Sequence, residues 1–180
     1  MGRPEQFRHE KSKYPQKVMV FLGVYGNGDT WGLKFLDPGT TMDGNHYYWL
    51  VRNGAVPDLK MINGGTQDRV WWQQDGASVH RLVKTMKYLD GQFQNRSLAM
   101  GSIRGFDWPA RSPDLSPLDF CVWGVLKEKV LKPRPRTMAE LKDRIKLEVR
   151  NLDAAIIRRA CLDVRSRCER VIEADGGFIE

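Results

Sequence analysis

Two aspartates carry the strongest chemical signal in the chain. Asp75 stands in "QQDGASVH", after the apolar run Val70, Trp71, Trp72 and before a small, glycine-containing turn. Asp119 stands in "SPDLSPLDF", three residues after Ser116 and two after Pro117. Each has an ordinary structural explanation. Asp75 can close a strand and form a turn with Gly76. Asp119 fits a helix start in which Ser116 caps, Pro117 takes the first position and the acid complements the helix dipole. As a pair they point further. Carboxylates brought from distant segments to one place give oxygen donors for a hard divalent cation such as Mg²⁺. Paired metal ions on a phosphodiester activate the attacking oxygen and stabilise the leaving one.

The neighbouring residues read in two ways each. His80, five residues after Asp75, either faces the acid as a proton- or phosphate-handling group or sits exposed in a first helical turn. Arg111 is a phosphate contact or a surface ion-pair partner. From Lys127 to Arg150 nine basic residues stand against four acidic ones, an excess of +5 within a chain of net charge +7. Lys127, Lys129, Lys132, Arg134 and Arg136 open that stretch and are the candidate contacts to a polyanion such as DNA. The alternative is a solvated helix face laced with pairs such as Glu140 and Arg144. Trp71 and Trp72 point to opposite faces of a strand, one into the core, with base stacking the weaker reading. Trp108 and Trp123 read as packing residues.

These groups need a scaffold, and the hydropathy pattern supplies one. "KVMVFLGVY" is a buried strand, Asn27-Gly28 a hairpin turn, and "TWGLKFL" the returning strand. Asp43 caps a short helix with Tyr47, Leu50 and Val51 on one stripe. "RVWWQQD" is a third strand, which puts Asp75 at a strand's carboxyl end, where open α/β sheets bind ligands. A helix with Leu82, Val83, Met86 and Leu89 inward follows, then a strand in "RSLAMGS", a loop with Pro109, Pro113 and Pro117, and the helix "LDFCVWGVLKEKV". Thr137 and Glu140 form a capping box for a helix with Leu141, Ile145 and Val149 on one face, and a last helix runs from Asp153 to about Ala174. The alternation of strands and helices implies an α/β domain.

Length and composition set outer limits. The 180 residues, 41% of them hydrophobic, suffice for one sizeable core, so a single domain is expected over 1–180. Residues 1–16 are expected to be flexible, and 137–180 to form a helical extension. The longest apolar run, in "VMVFLGVYG", is far shorter than the roughly 20 residues that cross a bilayer, and no signal-peptide pattern precedes it. An intracellular protein, nuclear or cytoplasmic and without a membrane, is expected. Cys121, Cys161 and Cys168 are odd in number and widely spaced, which favours free thiols.

"WWQQDGASVH", "WPARSPDLSPLDFCVWGVLKEKV", the "PRTMAELKDRI" helix and the closing "VIEADGGFIE" together resemble the catalytic domain of mariner-type DNA transposases of the DDE/D superfamily. The leading "YPQKVMVFLGVYGNG" resembles the second strand and hairpin of that domain, so the likeness spans nearly the whole chain. The resemblance implies a ribonuclease-H-like mixed sheet flanked by helices. It also implies Mg²⁺- or Mn²⁺-dependent strand cleavage and joining on DNA, with no small-molecule cofactor. By position, Asp75 matches the second metal-binding carboxylate of the family and Asp119 the third; the forty-three residues between them are a longer interval than in the best-known branch.

No aspartate precedes Asp29, and Asp29, Asp37 and Asp43 fall on a turn, a strand end and a helix cap, so none matches the family's first carboxylate. The expectation is therefore a carboxyl-terminal portion of such a domain, lacking the first aspartate and its central strand, and inactive alone. A sheet short of that strand is expected either to close the gap or to expose an edge able to bind a partner or a second copy. The alternative function is a non-catalytic nucleic-acid-binding or assembly module derived from a transposase.

Overall fold

Asn27-Gly28 closes the hairpin that the sequence predicts. Asn27 Oδ1 accepts the Asp29 N–H at 2.9 Å, its Nδ2 donates to the Asp29 carboxylate at 2.7 Å, and Gly28 adopts a φ of 104° that a side chain would oppose. The flanking strands, β1 (Val20–Val24) and β2 (Thr30–Phe35), pair antiparallel with a bulge between Phe21 and Gly23. This computed structural model describes residues 17–36, 39–65 and 68–179. The expected flexibility of residues 1–16, and any first strand before β1, lie outside the described residues.

At the bulge the Trp31 indole lies across Gly23, in the space that a Cβ on residue 23 would occupy. This lets Trp31 reach Trp72, with ring centroids 5.6 Å apart. Gly23→Ala is therefore expected to force the indole aside and cost about 1–3 kcal/mol, as overpacked cores do, with a matching loss in urea midpoint.

Asp43 caps α1 (Gly44–Leu50), accepting the His46 N–H at 2.8 Å. The helix does not stop there. It passes through a π-helical turn at Val51–Ala55 into α2 (Val56–Ile62), and this wider turn stands just before Pro57, which has no N–H to give to the helix. Tyr47, Val51, Ala55, Val56 and Leu59 face a core that Val70, Trp72, Met86, Leu89, Phe93 and Ala99 complete.

After β3 (Trp72–Gln73) the chain makes a 3₁₀ turn at Ser78–Arg81, breaks at Leu82, and enters α3 (Val83–Phe93). Met86 and Leu89 face inward as the sequence predicts. Thr85, Met86, Leu89, Asp90 and Phe93 turn inward, while Val83, expected inside, is 62% exposed. β4 (Ser97–Leu98) pairs parallel with β3, in register Trp72 with Ser97 and Gln73 with Leu98. Buried Asp90 fixes this corner, accepting from Ser97 Oγ at 3.0 Å and from the Ile103 N–H at 3.2 Å.

A π-helical turn, Leu118–Val122, leads into α4 (Trp123–Leu131), and α5 (Met138–Arg150) and α6 (Ala154–Glu173) follow. Thr137 Oγ1 accepts the Glu140 N–H at 3.1 Å, while the Glu140 carboxylate reaches past Thr137 to the Arg136 N–H at 2.7 Å. Leu22, Val122, Leu126 and Val149 make a second core between the hairpin, α4 and α5. α6 locks both ends of the domain. Arg158 donates to the Asn27 carbonyl at the hairpin tip at 2.9 Å, and Arg167 donates to the Asp114 carbonyl at 3.1 Å while its guanidinium covers the Phe120 ring at 3.9 Å.

The sheet differs from the expectation. Among the described residues there are two two-stranded sheets, β1 with β2 and β3 with β4, and no strand pairing joins β1 to β3. The hairpin and β3 meet instead through side chains, Trp31 on Trp72 and, by way of α1, Phe21 on Tyr47 at 6.5 Å. No helix among the described residues is long and apolar enough to cross a membrane.

Candidate active site

Asp75 stands two residues past the end of β3, and its carboxylate is held by the turn it opens. Oδ1 accepts the Ala77 N–H at 3.0 Å and lies 2.6 Å from His80 Nδ1. Oδ2 has no protein partner among the described residues. The His80 hydrogen bond outweighs partial burial and holds the Asp75 carboxyl below the ordinary aspartate value, with the Ala77 N–H adding to it. His80 stacks on Tyr47 with ring centroids 4.2 Å apart, so its Nδ1–H is aimed at Asp75 and its Nε2 is turned away from that bond.

Gln74 organises the site from below, and nothing in the sequence pattern marked it. Its Oε1 accepts from the Tyr47 hydroxyl at 2.8 Å and from Trp72 Nε1 at 3.1 Å, and its Nε2 donates to the His80 carbonyl at 3.2 Å. Strand alternation puts Gln74 on the core side of Asp75. A buried glutamine with all these groups around it is the signal that composition alone could not give.

Asp119 sits on the π-helical turn before α4. The expected serine cap is not formed: Ser116 Oγ accepts from Gln73 Nε2 at 3.4 Å, and it is the Ser116 carbonyl that takes the Asp119 and Phe120 N–H groups at 2.8 and 3.0 Å. The Gln73 contact ties the end of β3 to the start of this helix. The Asp119 carboxylate makes no hydrogen bond or ion pair among the described residues, but it lies in the first turn of the helix, where the helix dipole favours an acid, so that part of the ordinary explanation stands. Burial and then the negative charge of Asp75 push its carboxyl above the ordinary value, and Lys127 opposes them. The residue is exposed on its outer side and lines a cavity on the other.

Asp75, His80, Gln73, Ser116 and Asp119 all line this cavity, which has a volume of about 600 Å³. The cavity runs between β1 and β3 and is walled by Val20, Leu22, Val24, Val70, Leu98 and Leu115, with both aspartates on it. Among the described residues no three His, Cys, Asp or Glu side chains converge as a complete metal cage.

The basic candidates divide. Lys127 is close enough for its charge to act on Asp119. Lys129, Lys132, Arg134 and Arg136 are exposed along α4 and the loop after it, and Lys132 pairs with Glu128 at 3.0 Å. Arg111 is exposed, takes a φ of 55°, and does not line the cavity. Trp72 is core, while Trp71 is half open and packs on exposed Phe106, ring centroids 5.8 Å apart.

No family model matches the chain, and no curated relative does. Solved structures do. The chain is similar to the Mos1 transposase catalytic domain solved with raltegravir and Mn, at a TM-score of 0.75 and 19% identity over 91% of this chain and 78% of that one. It is similar to Mos1 in a pre-cleavage transpososome, TM-score 0.78 and 18% identity, over 99% of this chain and 50% of that one. A Mos1 mariner paired-end complex with Mn gives a TM-score of 0.76 at 20% identity, over 100% of this chain and 48% of that one. The chain thus spans about half the length of the transposase chains in those complexes. At these identities the likeness establishes the fold: the mixed α/β architecture of the ribonuclease-H-like Mos1 catalytic domain.

Proposed function

We propose that this chain is a mariner-type transposase catalytic domain, or a portion of one, that acts on DNA through divalent metal ions held by Asp75 and Asp119. The observation that carries the reading is the convergence of these two acids on one cavity, close enough for the charge of Asp75 to raise the Asp119 carboxyl. Like charges so placed are relieved by a bound cation, and both present oxygen donors of the kind Mg²⁺ and Mn²⁺ take. Asp75 would bind through Oδ2, since Oδ1 is engaged by His80 and Ala77. Asp119 would bind with either oxygen. When bound, the metal supplies Lewis-acid activation of a phosphodiester and its attacking oxygen.

The chain's own groups do the rest. His80 fixes the rotamer of Asp75, and Lys127 offers a cation beside Asp119 for a phosphate oxygen. The exposed cations Lys129, Lys132, Arg134 and Arg136, with Arg111, carry the backbone charge of DNA. Two carboxylates are one fewer than the family's set, so cleavage by these residues alone is proposed to be slow or absent. A second reading, a non-catalytic DNA-binding or assembly module, is favoured by the basic surface of α4 and the exposed cations after it.

One experiment separates the two. Labelled duplex DNA is incubated with the full chain and Mg²⁺ or Mn²⁺, alongside Asp75→Asn. Metal-dependent nicking that the variant loses supports the catalytic reading. Salt-sensitive DNA binding that Asp75→Asn leaves unchanged, without nicking, leaves only the binding module. Neither nicking nor salt-sensitive binding would remove both.

A further inference from the structure

On α1, Tyr47 lines the cavity beside the two aspartates, while the next two residues, Tyr48 and Trp49, do not. They build a separate surface with α3. Tyr48 is nearly buried beneath other side chains: the Trp49 ring at 5.4 Å between centroids, the Tyr88 ring edge-on at 6.1 Å, and two cations. Arg52 Cζ lies 5.8 Å from the centre of the Tyr48 ring and Lys84 Nζ 4.6 Å from it, both within cation–π range. Arg52 is also 5.9 Å from the centre of the Trp49 ring, and its Nη1 donates to the Tyr48 hydroxyl at 2.6 Å. The Tyr88 hydroxyl donates to the Arg52 carbonyl at 3.4 Å, which ties α3 to the π-helical turn that carries Arg52.

The charge on this surface has one sign. Exposed Lys87, three residues after Lys84 on α3, adds a third cation. The acids of these elements are engaged elsewhere. Asp43 caps α1 and pairs with His46, Asp58 pairs with Lys34 at 3.4 Å, and buried Asp90 accepts from Ser97 and Ile103. Cations gathered without an acid repel one another, and a partner that brings negative charge relieves them. Any polyanion would do that much; the rings narrow the choice. Trp49 is 52% exposed, an open indole beside a guanidinium that is already held by the Tyr48 hydroxyl. An acidic peptide would meet the cations and leave the indole bare. In a duplex the base faces are covered by their neighbours, whereas an unpaired base has a free face to stack on an aromatic ring.

We propose that this surface of α1 and α3 binds a single strand of nucleic acid, with an unpaired base stacked on Trp49 and the flanking phosphates on Arg52, Lys84 and Lys87. The Arg52 guanidinium, fixed by Tyr48, presents its remaining N–H groups to a phosphate as a fork, and the two lysines act as point charges. The site is distinct from the aspartate pair and from the basic surface of α4. It does not depend on metal binding or DNA cleavage.

The test titrates the full chain into fluorescein-labelled oligo-dT and oligo-U of about ten nucleotides, a length such surfaces cover, and into a duplex of equal length. Saturable, salt-sensitive binding to the single strands is expected by anisotropy. Preference for dT or for U tells whether the strand is DNA or RNA, and either supports the proposal. Trp49→Ala should weaken single-strand binding about tenfold, Trp49→Phe less, and neither should change binding to the duplex. Arg52→Ala should also cost about tenfold, and Lys84→Ala and Lys87→Ala should each lower the salt slope by about one. All four side chains are exposed, so the variants keep the fold, which thermal unfolding checks. Single-strand binding that Trp49→Ala and Arg52→Ala leave unchanged overturns the proposal, as does the absence of saturable binding to both oligonucleotides. Displacement by polyglutamate as readily as by unlabelled oligonucleotide also overturns it, since charge alone would then be read. So does self-association of the free chain that Trp49→Ala dissolves, because the surface would then be a contact between copies.

Discussion

Replacing Asp75 with asparagine is expected to weaken Mn²⁺ binding by about 100-fold, and in the metal-free chain to move the Asp119 titration downward. The second effect follows from charge. Asp75 raises the Asp119 carboxyl, and asparagine removes that charge while keeping the shape. Carboxyl-carbon NMR across the acid range reads it directly. An Asp119 titration that does not move in Asp75→Asn would mean the two acids are not coupled, and the proposed site would go with it.

The same pair sets opposite slopes of stability with pH. Asp75 has a folded pKa below its ordinary 3.8, so the stability it adds is present above that value and is lost as pH falls through the folded pKa. Asp119 has a folded pKa above 3.8, so it costs nothing below that value and detracts from stability once pH has risen through its folded pKa. Acid unfolding of the wild type therefore carries a contribution from Asp75, beside those of Asp43 and Glu140, whose carboxyls are also held below their ordinary values, and Asp119→Asn should stabilise slightly at neutral pH. Because Asp119 is largely exposed, that gain is held to a few tenths of a kcal/mol by solvent screening. A group that detracts from the fold and has no local partner is what a ligand site looks like before its ligand arrives.

Several elements were legible because short-range rules govern them. Asn27-Gly28 and the Asp43 cap depend on residues within one turn of one another and form as the sequence predicts, whereas at Thr137 only the hydroxyl half of the capping box forms, because the Glu140 carboxylate takes the Arg136 N–H in place of the Thr137 N–H. Of the apolar stripe, Val149 and Ile145 face the second core, and Leu141 is buried as well. What escaped was longer in range. The π-helical turns at Val51–Ala55 and Leu118–Val122 leave no mark on hydrophobic periodicity, yet the second one carries Asp119. Val83 differs from its expected place because it opens α3 right after the chain breaks at Leu82, while the later positions Met86 and Leu89 keep the inward face expected of them. The Ser116 cap failed because a tertiary partner, Gln73, takes its hydroxyl. At the site itself, the strand end carries Asp75 and the helix start Asp119 as the sequence predicts, whereas Gln74, which ties down the His80 backbone beside Asp75, reads like any polar residue.

That ordering role gives the largest stability effect expected in the chain. Gln74→Leu keeps volume and buried area but leaves the Tyr47 hydroxyl and Trp72 Nε1 without their shared acceptor, and the His80 carbonyl without its donor. Each buried polar group so orphaned costs about 1–3 kcal/mol, and relaxation of the turn recovers part of it. A net loss of about 3 kcal/mol is expected by urea unfolding, roughly 6–12 °C in Tm for a chain of this size. Gln73→Leu, one residue away on the other face, loses only a 3.4 Å contact to Ser116 and should cost under about 1 kcal/mol. The contrast carries a functional consequence. With Gln74 gone the His80 backbone is no longer tied to the strand, so His80 releases Asp75, and the Asp75 carboxyl should titrate back up toward the ordinary aspartate value even under conditions where the variant is fully folded. A variant that loses stability while Asp75 titrates as before would limit Gln74 to packing.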